Sequence, residues 1–344
     1  MINRIYRLMD TKRIDMVQRE IAFDDDLMIA RPHWLAVCAA DQRYYQGKRA
    51  REVMRRKLPM ALIHEATATV MHDPSGRSQP GTEAVPIPLM LHGQPQVIKA
   101  NYDERNEFCS SGYDGFLQDY IAAPPGGFIP VPESNMSDGE SMLYVFSELV
   151  SVVFNAIEAF EKSLATEISS FGVWGDGSMG YVMSLVLRCV YPQSRIYAFG
   201  KTARRLHRFS FADDTFFIDD IPDGLRIDHC FECVGGAGSE SAVSQIIELI
   251  APQGCVSLLG VSEEGISINT RTVLDKGLKL LGSSRSSADD FRKAVELIHE
   301  SPVCKRYLET LCSEVIEIRN EADIAKLFEQ DILNDFKTVG KWLI

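Results

Sequence analysis

The fold is decided by residues 171–180, FGVWGDGSMG, in which an apolar run meets a glycine-rich turn. Three glycines occupy the G-x-G-x-x-G positions: Gly175, Gly177 and Gly180. An apolar helical pattern follows at residues 181–187. In a strand–turn–helix context, these glycines allow a tight turn, a close approach to a pyrophosphate and close helix–strand packing. The N–H groups at the helix start, at Ser178 and Met179, are placed to bind phosphate. The stretch predicts a dinucleotide-binding turn.

The end of the next predicted strand, residues 195–199, indicates which dinucleotide is bound. NAD sites usually carry Asp or Glu about 20 residues beyond the turn, where it binds the ribose 2′-hydroxyl. Here the sequence continues as GKTARR, with Gly200, Lys201 and Arg204 in the relevant positions. Basic groups attract a 2′-phosphate, so these residues predict NADPH. The alternative is a solvated basic turn without a ligand.

Length and charge narrow the class of protein. A chain of 344 residues exceeds the size at which one core keeps growing, so two domains are expected. The net charge of −12 argues against nucleic acid as a partner. We find no window that we expect to span a membrane and no apolar signal-peptide region at the N-terminus. With eight scattered cysteines, these features predict a cytoplasmic enzyme with reduced thiols.

The position of the turn defines the domain organisation. Roughly 150 residues precede it, and they are β-rich, with strands expected at 26–32 and 66–70. After the turn, strands and helices alternate, which predicts a parallel doubly wound sheet and an α/β fold. The expected elements are strands at 225–234, 255–261 and 278–283 and a helix at 239–250. The last segment, 314–344, is expected to form a strand, a helix and an end strand that return to the first domain.

Four residues in the N-terminal region are candidate metal ligands: Cys38, His64, Glu65 and Glu148. A thiolate, an imidazole and carboxylate oxygens form a plausible tetrahedral zinc shell, and a catalytic zinc keeps one position open. Each residue alone also has a structural explanation. Cys38 can be a small buried apolar group, His64 a hydrogen-bonded core histidine, and Glu148 a carboxylate at a helix start. On the residues alone, both interpretations stay open.

The whole chain resembles the zinc-dependent medium-chain dehydrogenases. Residues 38–41, CAAD, resemble the first-ligand loop of that family, and His64-Glu65 resembles the end of its Gly-His-Glu motif. Glu148 falls where polyol dehydrogenases of the family carry Glu in place of a third Cys. Further strings resemble the ribulose-5-phosphate reductases within the family: CAADQRYY at 38–45, SGYDGF at 111–116, WGDG at 174–177, FGKT at 199–202, FECVGG at 231–236 and GSSRS at 282–286.

The resemblance implies a medium-chain dehydrogenase fold. A β-rich GroES-like catalytic domain is expected over 1–150, completed by 287–344, and a Rossmann NADPH domain over 151–286. One catalytic zinc per chain would be bound by Cys38, His64, Glu65 and Glu148. No structural zinc is expected, because Cys109 is the only cysteine between residues 89 and 116. Val234 and Gly235 are expected beside the cofactor.

The implied activity is the NADPH-dependent reduction of D-ribulose 5-phosphate to D-ribitol 5-phosphate. A cytidylyltransferase partner would convert the product to CDP-ribitol for teichoic acid or capsule synthesis, and a homodimer is expected. One alternative is an NAD(P)-dependent zinc polyol dehydrogenase that acts on an unphosphorylated sugar alcohol. The other is a nucleotide-binding protein that has lost its activity.

Two departures from the family pattern and one basic segment complete the predictions. Ile63 stands where the family usually has glycine, which predicts a local backbone difference. Ala40 replaces the Ser or Thr that often starts the proton relay.

The run 48–57 carries six basic residues against one acidic residue. We predict that Arg43, with at least one residue of this run, and Arg285 bind the substrate phosphate, because guanidinium groups bind phosphate bidentately. The alternative for the run is a solvated helix face.

Overall fold

The computed structural model describes residues 1–22, 26–93, 96–97, 99–132, 136–164, 166 and 168–344. The chain divides into two compact units. The split unit comprises Met1–Ser151 and Ser286–Ile344, and the central unit comprises Val152–Arg285.

The strands, in chain order, are β1 Ile2–Asp10, β2 Arg13–Glu20, β3 Met28–Ala36, β4 Met60–Ala61, β5 Glu65–His72, β6 Glu83–Pro86, β7 Leu89–Met90, β8 Glu107–Phe108, β9 Ile121–Ala123, β10 Phe128–Pro130, β11 Ser170–Trp174, β12 Arg195–Gly200, β13 Asp214–Phe217, β14 His229–Glu232, β15 Cys255–Leu258, β16 Lys279–Gly282, β17 Cys312–Ile318 and β18 Lys337–Trp342.

The α-helices are α1 Ala39–Tyr45, α2 Arg51–Lys57, α3 Asp138–Leu143, α4 Ser147–Glu161, α5 Ser178–Val190, α6 Ala203–Leu206, α7 Ser239–Leu249, α8 Thr270–Lys276, α9 Ala288–Glu300, α10 Pro302–Leu311 and α11 Glu321–Leu333. Short 3₁₀ turns lie at Ala100–Tyr102, Pro125–Gly127, Tyr144–Phe146 and Gly236–Gly238.

The central unit contains one parallel six-stranded sheet in the order β13-β12-β11-β14-β15-β16. Its first strand in the chain, β11, lies between β12 and β14, and every residue of β11 is buried. A strand covered on both faces is apolar throughout, which explains the continuous run before the glycine turn. The strand order reverses beside β11, as it does in a Rossmann sheet. The predicted parallel α/β sheet is therefore confirmed.

Three strands of this sheet differ from the sequence prediction. The strand expected at 255–261 ends with β15 at Leu258. The strand expected at 225–234 is regular only over β14, because Ile227 forms a single bridge to Ile250 and the Glu232 carboxylate binds the backbone after the strand. The edge strand β13 was not predicted. Its four residues, DTFF, are mostly exposed and show no clear apolar period.

The split unit is built on a seven-stranded sheet with the path β10-β6-β5-β3-β18-β17, in which β9 also pairs with β3. The hairpin β1–β2 and β4 form a separate three-stranded sheet. The C-terminal strand β18 pairs antiparallel with β3, so the last segment of the chain joins the sheet built by the first. The strand, helix and end strand expected at 314–344 are present as β17, α11 and β18.

One helical stretch of the described chain, Asp138–Glu161, is long and apolar enough to cross a membrane by length and composition. Our expectation of no such window was therefore wrong on that criterion. In the structure 83% of the most apolar part of this stretch is buried inside the protein. A mostly buried stretch of this kind is typical of a core helix.

Candidate active site

Three candidate ligands lie together in the split unit. One ligand atom each of Cys38, His64 and Glu65 lies within 4.8 Å of the others. Cys38 is the residue that precedes α1, and Glu65 is the first residue of β5. His64 immediately precedes β5. The Glu65 carboxylate and the His64 imidazole are both buried, as expected for groups directed into the interior. We call these three residues the ligand cluster.

The ring of His64 is fixed by two neighbours. Its Nδ1 lies 2.7 Å from the Ser110 hydroxyl and 3.4 Å from the Asp41 carboxylate, which leaves Nε2 for a metal. Asp41 also accepts hydrogen bonds from the backbone N–H groups of Ile63 and Cys38, at 3.1 and 3.3 Å. Asp41 thus connects the two segments that carry the ligands.

The ligand cluster favours positive charge. Burial alone would lower the pKa of His64, but the Asp41 carboxylate and the neighbouring Cys38 outweigh burial and raise that pKa well above its ordinary value. A site that stabilises a proton in this way also suits a metal cation, which takes the proton's place when the ligands bind.

Glu65 is paired with a lysine from the C-terminal segment. The Lys337 Nζ lies 2.5 Å from Glu65 Oε1 and donates a 2.9 Å hydrogen bond to the Val37 carbonyl. Burial opposes the charge on Lys337, but Glu65 and Cys38 outweigh it and raise the pKa of Lys337. The other oxygen, Glu65 Oε2, is buried without a hydrogen-bond partner among the described residues. Sulfur, nitrogen and an unsatisfied carboxylate oxygen fit a zinc ion.

Glu148 lies outside the ligand cluster. It is the second residue of α4 and is buried. Burial raises the pKa of Glu148 to about 7; the neighbouring His64 lowers it and Glu65 raises it further. The structure therefore brings three of the four candidate ligands together and leaves the fourth electrostatically linked to them.

Ile63 has a backbone conformation unusual for its residue type. Its φ is 69°, in the left-handed region that favours glycine and is a genuine outlier for a β-branched side chain. Its side chain is fully buried, and its carbonyl accepts a hydrogen bond from Phe116. The predicted local peculiarity at Ile63 is therefore a backbone conformation that glycine adopts more readily than isoleucine. Ala40 lies in the first turn of α1 and offers no hydroxyl.

A cavity of about 340 Å³ lies at the glycine turn of the central unit. Its lining includes five of the predicted cofactor residues: Gly175, Gly177, Gly200, Lys201 and Val234. Among the described residues that line it, Arg205 is present and Arg204 is not. The cavity is therefore lined by the predicted Lys201 and by Arg205, the neighbour of the predicted Arg204.

The turn is packed as the glycine pattern requires. A Cβ at Gly180 would lie 1.8 Å from the Gly175 carbonyl oxygen, and Gly175 has a φ of 129°. By contrast, a Cβ at Gly177 would meet nothing within 4 Å, which leaves space for a phosphate group. Ser178 and Met179 are the first residues of α5.

The loop after β14 is held by a buried carboxylate. Glu232 accepts hydrogen bonds from the backbone N–H groups of Val234 and Gly235, both at 2.9 Å, and from Gly260 at 3.0 Å. These contacts connect the ends of β14 and β15. They place Val234 at the cavity and Gly235 beside it.

Asp176 brings a carboxylate to the end of β12, where the sequence suggested none. Its Oδ2 accepts hydrogen bonds from the N–H groups of Lys201 and Thr202, at 2.8 and 2.7 Å. Arg205 lies 3.8 Å from the other oxygen. Because these two backbone donors are already used, a 2′-phosphate here would depend on side chains such as Lys201 and Arg205.

The predicted phosphate-binding residues belong to several elements and to both units. Arg43 lies on α1 and is half-buried, whereas most of the run 48–57 is exposed. Arg49 lies over the ring of Tyr44, at 5.0 Å. Arg285, in the other unit, has a φ of 59°, and burial lowers the pKa of its guanidinium.

The sequence matches two family profiles. "Alcohol dehydrogenase GroES-like domain" matches residues 24–133, and "Zinc-binding dehydrogenase" matches residues 209–300. The chain is 43% identical to ribulose-5-phosphate reductase of Bacillus spizizenii and 44% identical to ribulose-5-phosphate reductase 2 of Staphylococcus aureus, with 100% of each chain covered in both cases. The chain belongs to the zinc-type medium-chain dehydrogenases. The predicted GroES-like and Rossmann fold class is confirmed.

Solved structures agree with this assignment. The crystal structure of S. aureus TarJ in complex with NADPH is 40% identical to the chain, covers 100% of both chains and superposes with a TM-score of 0.87. The E. coli galactitol-1-phosphate dehydrogenase, at 17% identity and a TM-score of 0.79, shares the fold.

Several site residues were not identified from the sequence. Lys337 and Ser110 contact the ligand cluster from distant segments, and Asp176 and Glu232 organise the cavity of the central unit. Asp41, Asp176 and Glu232 lie in the strings CAAD, WGDG and FECVGG that resemble the family, which is a local signal for their importance but not for their contacts. Lys337 and Ser110 lie outside these strings, and their contacts with the ligand cluster depend on tertiary structure.

Proposed function

We propose that the chain reduces D-ribulose 5-phosphate to D-ribitol 5-phosphate with NADPH at a zinc bound by the ligand cluster and Glu148. The observation that carries this proposal is the sulfur, nitrogen and oxygen cluster of Cys38, His64 and Glu65, in a chain 43% identical to a ribulose-5-phosphate reductase over its full length. Bound NADPH would supply a hydride to the carbonyl carbon and leave as NADP⁺, and the carbonyl oxygen would take up one proton.

The protein residues have separate roles in this proposal. Asp41 and Ser110 orient His64 so that Nε2 is available as a ligand, and Lys337 holds one oxygen of Glu65. A bound zinc supplies Lewis-acid polarisation of the carbonyl oxygen. Burial raises the pKa of Glu148 to about 7 in the metal-free chain, so Glu148 would give up this proton when it joins the ligand cluster at the zinc.

The cofactor would be bound by the central unit. In this proposal Gly175, Gly177, Ser178, Met179 and Gly180 surround the pyrophosphate, and Val234 and Gly235 lie along the cofactor. Gly200, Lys201 and Arg204 were predicted at the 2′-phosphate, and the cavity lining adds Arg205. Residues 1–150 with 287–344 would form the catalytic domain and 151–286 the NADPH domain. Arg43 and Arg285 are the sequence-based candidates for the substrate phosphate.

A direct experiment compares NADPH oxidation with ribulose 5-phosphate, ribulose, xylulose 5-phosphate and fructose. We expect ribulose 5-phosphate to be reduced with the highest kcat/KM. Preferential turnover of an unphosphorylated sugar with NADH would instead support the zinc polyol dehydrogenase alternative.

The metal is tested separately. Cys38→Ser and His64→Ala should lose zinc and reductase activity while NADPH binding, measured by fluorescence titration, is retained, because the glycine turn lies in the other unit. Full activity in zinc-free Cys38→Ser protein would contradict the zinc mechanism.

We also propose that a cytidylyltransferase consumes the product to make CDP-ribitol for teichoic acid or capsule synthesis, and that the chain works in the cytoplasm as a homodimer. Light scattering after size-exclusion chromatography measures the oligomeric state. Coupled formation of CDP-ribitol from ribulose 5-phosphate, CTP and the two purified enzymes tests the sequence of reactions.

A further inference from the structure

The split unit has a cationic pocket that no motif predicted. This pocket, of about 330 Å³, is lined by Arg7, Arg19, Lys57, Gly112, Tyr113 and Asp114, with Pro59 and Met60 at its wall. We call it the basic pocket. Three cationic side chains face one carboxylate, which leaves the lining with two net positive charges in a chain of net charge −12.

The cations reach this pocket from separate parts of the chain. In the β1–β2 hairpin, Asn3 is opposite Arg19 and Ile5 is opposite Val17, so Arg19 shares a face with Asn3, Ile5 and Arg7. Lys57 is the last residue of α2. A Cβ at Gly112 would lie 3.2 Å from Lys57 Nζ, so the absence of a side chain at Gly112 leaves room for the ammonium group.

The carboxylate of the basic pocket already has partners. Asp114 accepts hydrogen bonds from Arg7 Nε, at 3.0 Å to Oδ1 and 3.2 Å to Oδ2, and from Arg7 Nη2 at 2.5 Å to Oδ2. It also accepts a 2.9 Å hydrogen bond from the N–H of Ala61. Asp114 is thus paired with Arg7 and positions it, and Arg19 and Lys57 are the other two cationic residues of the lining.

The basic pocket and the ligand cluster share a loop. Ser110, whose hydroxyl lies 2.7 Å from His64 Nδ1, donates its N–H to the Tyr113 carbonyl at 2.9 Å. Two residues further on, the N–H of Gly115 donates to the Ala61 carbonyl at 2.8 Å. Only three residues, 111–113, therefore lie between Ser110, which contacts His64, and Asp114, the carboxylate of the basic pocket.

We propose that the basic pocket binds the phosphate group of the phosphorylated substrate through Arg19 and Lys57, an inference that rests on the proposed function. A guanidinium and an ammonium group in one concave site match the geometry and charge of a phosphate monoester. Lys57 is the residue of the basic run 48–57 that lines this pocket. Inorganic phosphate carries the same chemistry and is the alternative source of the ligand.

The experiment compares Arg19→Ala and Lys57→Ala with Arg56→Ala. Arg56 is an exposed residue of the same helix α2, so its variant makes a matched loss of one positive charge outside the basic pocket. Steady-state kinetics are measured at saturating NADPH with ribulose 5-phosphate and with ribulose. The pocket variants should raise KM for ribulose 5-phosphate roughly ten- to a hundredfold, the effect of losing one charge-assisted hydrogen bond. Their kcat/KM for ribulose, and all parameters of Arg56→Ala, should stay near wild type.

Binding of inorganic phosphate shows whether the basic pocket binds the phosphate group of the substrate or free inorganic phosphate. It is measured by calorimetry on the NADPH-saturated enzyme, so that the nucleotide site is filled. Weaker phosphate binding in the pocket variants with unchanged KM for ribulose 5-phosphate would show a separate anion site and overturn the substrate assignment. A rise in KM only for Arg43→Ala or Arg285→Ala would overturn it as well. If wild type does not reduce ribulose 5-phosphate, the proposed function fails, and calorimetry still decides whether the basic pocket binds phosphate. If the pocket variants then bind inorganic phosphate as wild type does, the basic pocket is not a phosphate site either.

Discussion

Lys337 and Glu65 form a buried ion pair of 2.5 Å although they are 272 positions apart in the chain. The side chains are 5% and 0% exposed. Lys337 begins β18, the strand that pairs with β3, and Glu65 begins β5 on the other side of β3. The C-terminal segment thus supplies the counter-charge for a candidate metal ligand. Sheet pairing and the electrostatics of the site depend on the same strand.

Removal of this lysine should leave an uncompensated buried charge. We expect Lys337→Met to lower the free energy of unfolding by about 3–5 kcal/mol, the usual effect of breaking a buried pair on one side. Urea denaturation in the presence of a chelator measures this loss without a contribution from bound metal.

Two further variants separate the pair from general effects of substitution. In the double variant Glu65→Gln/Lys337→Met, much of the lost stability should return, because no lone charge remains. Lys326→Met, on the exposed side of α11, should change stability by less than about 0.5 kcal/mol. Additive losses in the double variant would mean that the two side chains do not stabilise each other.

The preference for NADPH should depend on Lys201 and Arg205. Each lines the cavity at the end of β12. Because Asp176 already accepts hydrogen bonds from the backbone donors there, loss of either side chain should weaken NADPH binding about ten- to a hundredfold and leave NADH binding nearly unchanged. Fluorescence titration of both nucleotides against Lys201→Ala and Arg205→Ala measures the ratio.

Arg204→Ala provides the matched control for Arg205→Ala, because Arg204 is adjacent but does not appear among the described residues that line the cavity. Its effect on NADPH affinity should be smaller. If Arg204→Ala has the larger effect, the sequence-based assignment of Arg204 to the 2′-phosphate is correct and the role of Arg205 is not.

The glycines of the turn should differ in what they tolerate. Gly180→Ala places a Cβ 1.8 Å from the Gly175 carbonyl oxygen, so it should destabilise the central unit and abolish NADPH binding. Gly177→Ala meets no atom within 4 Å and should cost stability only about 1 kcal/mol, the difference between glycine and alanine before a helix. It should still weaken NADPH binding, since the methyl group enters the space left for phosphate. Equal melting temperatures for the two variants would contradict this account.

Sequence patterns predicted the strand, turn and helix around residues 171–187, because the conformation of these elements depends mainly on neighbouring residues. The period of the apolar residues and the glycine spacing gave β11, the turn and α5, because a strand buried on both faces and a tight turn each restrict residue type strongly. Asp176 shows the limit of such reasoning. Asp176 lies inside the predicted motif, yet its role depends on how β12 packs beside the turn. Gly200, at the end of β12, gave no indication that a carboxylate from another segment would lie there.

Tertiary contacts determined the rest of the candidate site. Cys38, His64 and Glu65 could be selected because their residue types suit zinc and because the chain resembles a known family. Lys337 carries no comparable signal, since a lysine in a C-terminal strand is ordinarily exposed. Glu148 was predicted as a ligand, and the structure places it outside the ligand cluster, at the start of a buried helix whose position depends on packing.

The buried Glu148 should make the stability of the metal-free protein depend on pH. Its ordinary pKa of 4.5 rises to about 7 in the folded chain, chiefly because burial disfavours the carboxylate. The folded state therefore binds this proton more tightly than the unfolded state does. The stabilising contribution is fully present below about pH 4.5 and is lost as the pH rises through about 7. A pKa shift from 4.5 to about 7 corresponds to a loss of about 3 kcal/mol in the free energy of unfolding.

Glu148→Gln keeps the shape of the side chain and removes its titration. In urea denaturation with a chelator between pH 4.5 and 8, the wild-type free energy of unfolding should fall relative to that of the variant by about 3 kcal/mol. The difference between the two curves is the readout, because His64 and other groups titrate in both proteins. Glu329→Gln, on the exposed side of α11, is the control and should follow wild type. Parallel curves for wild type and Glu148→Gln would show that Glu148 has the same proton affinity in the folded and unfolded chain.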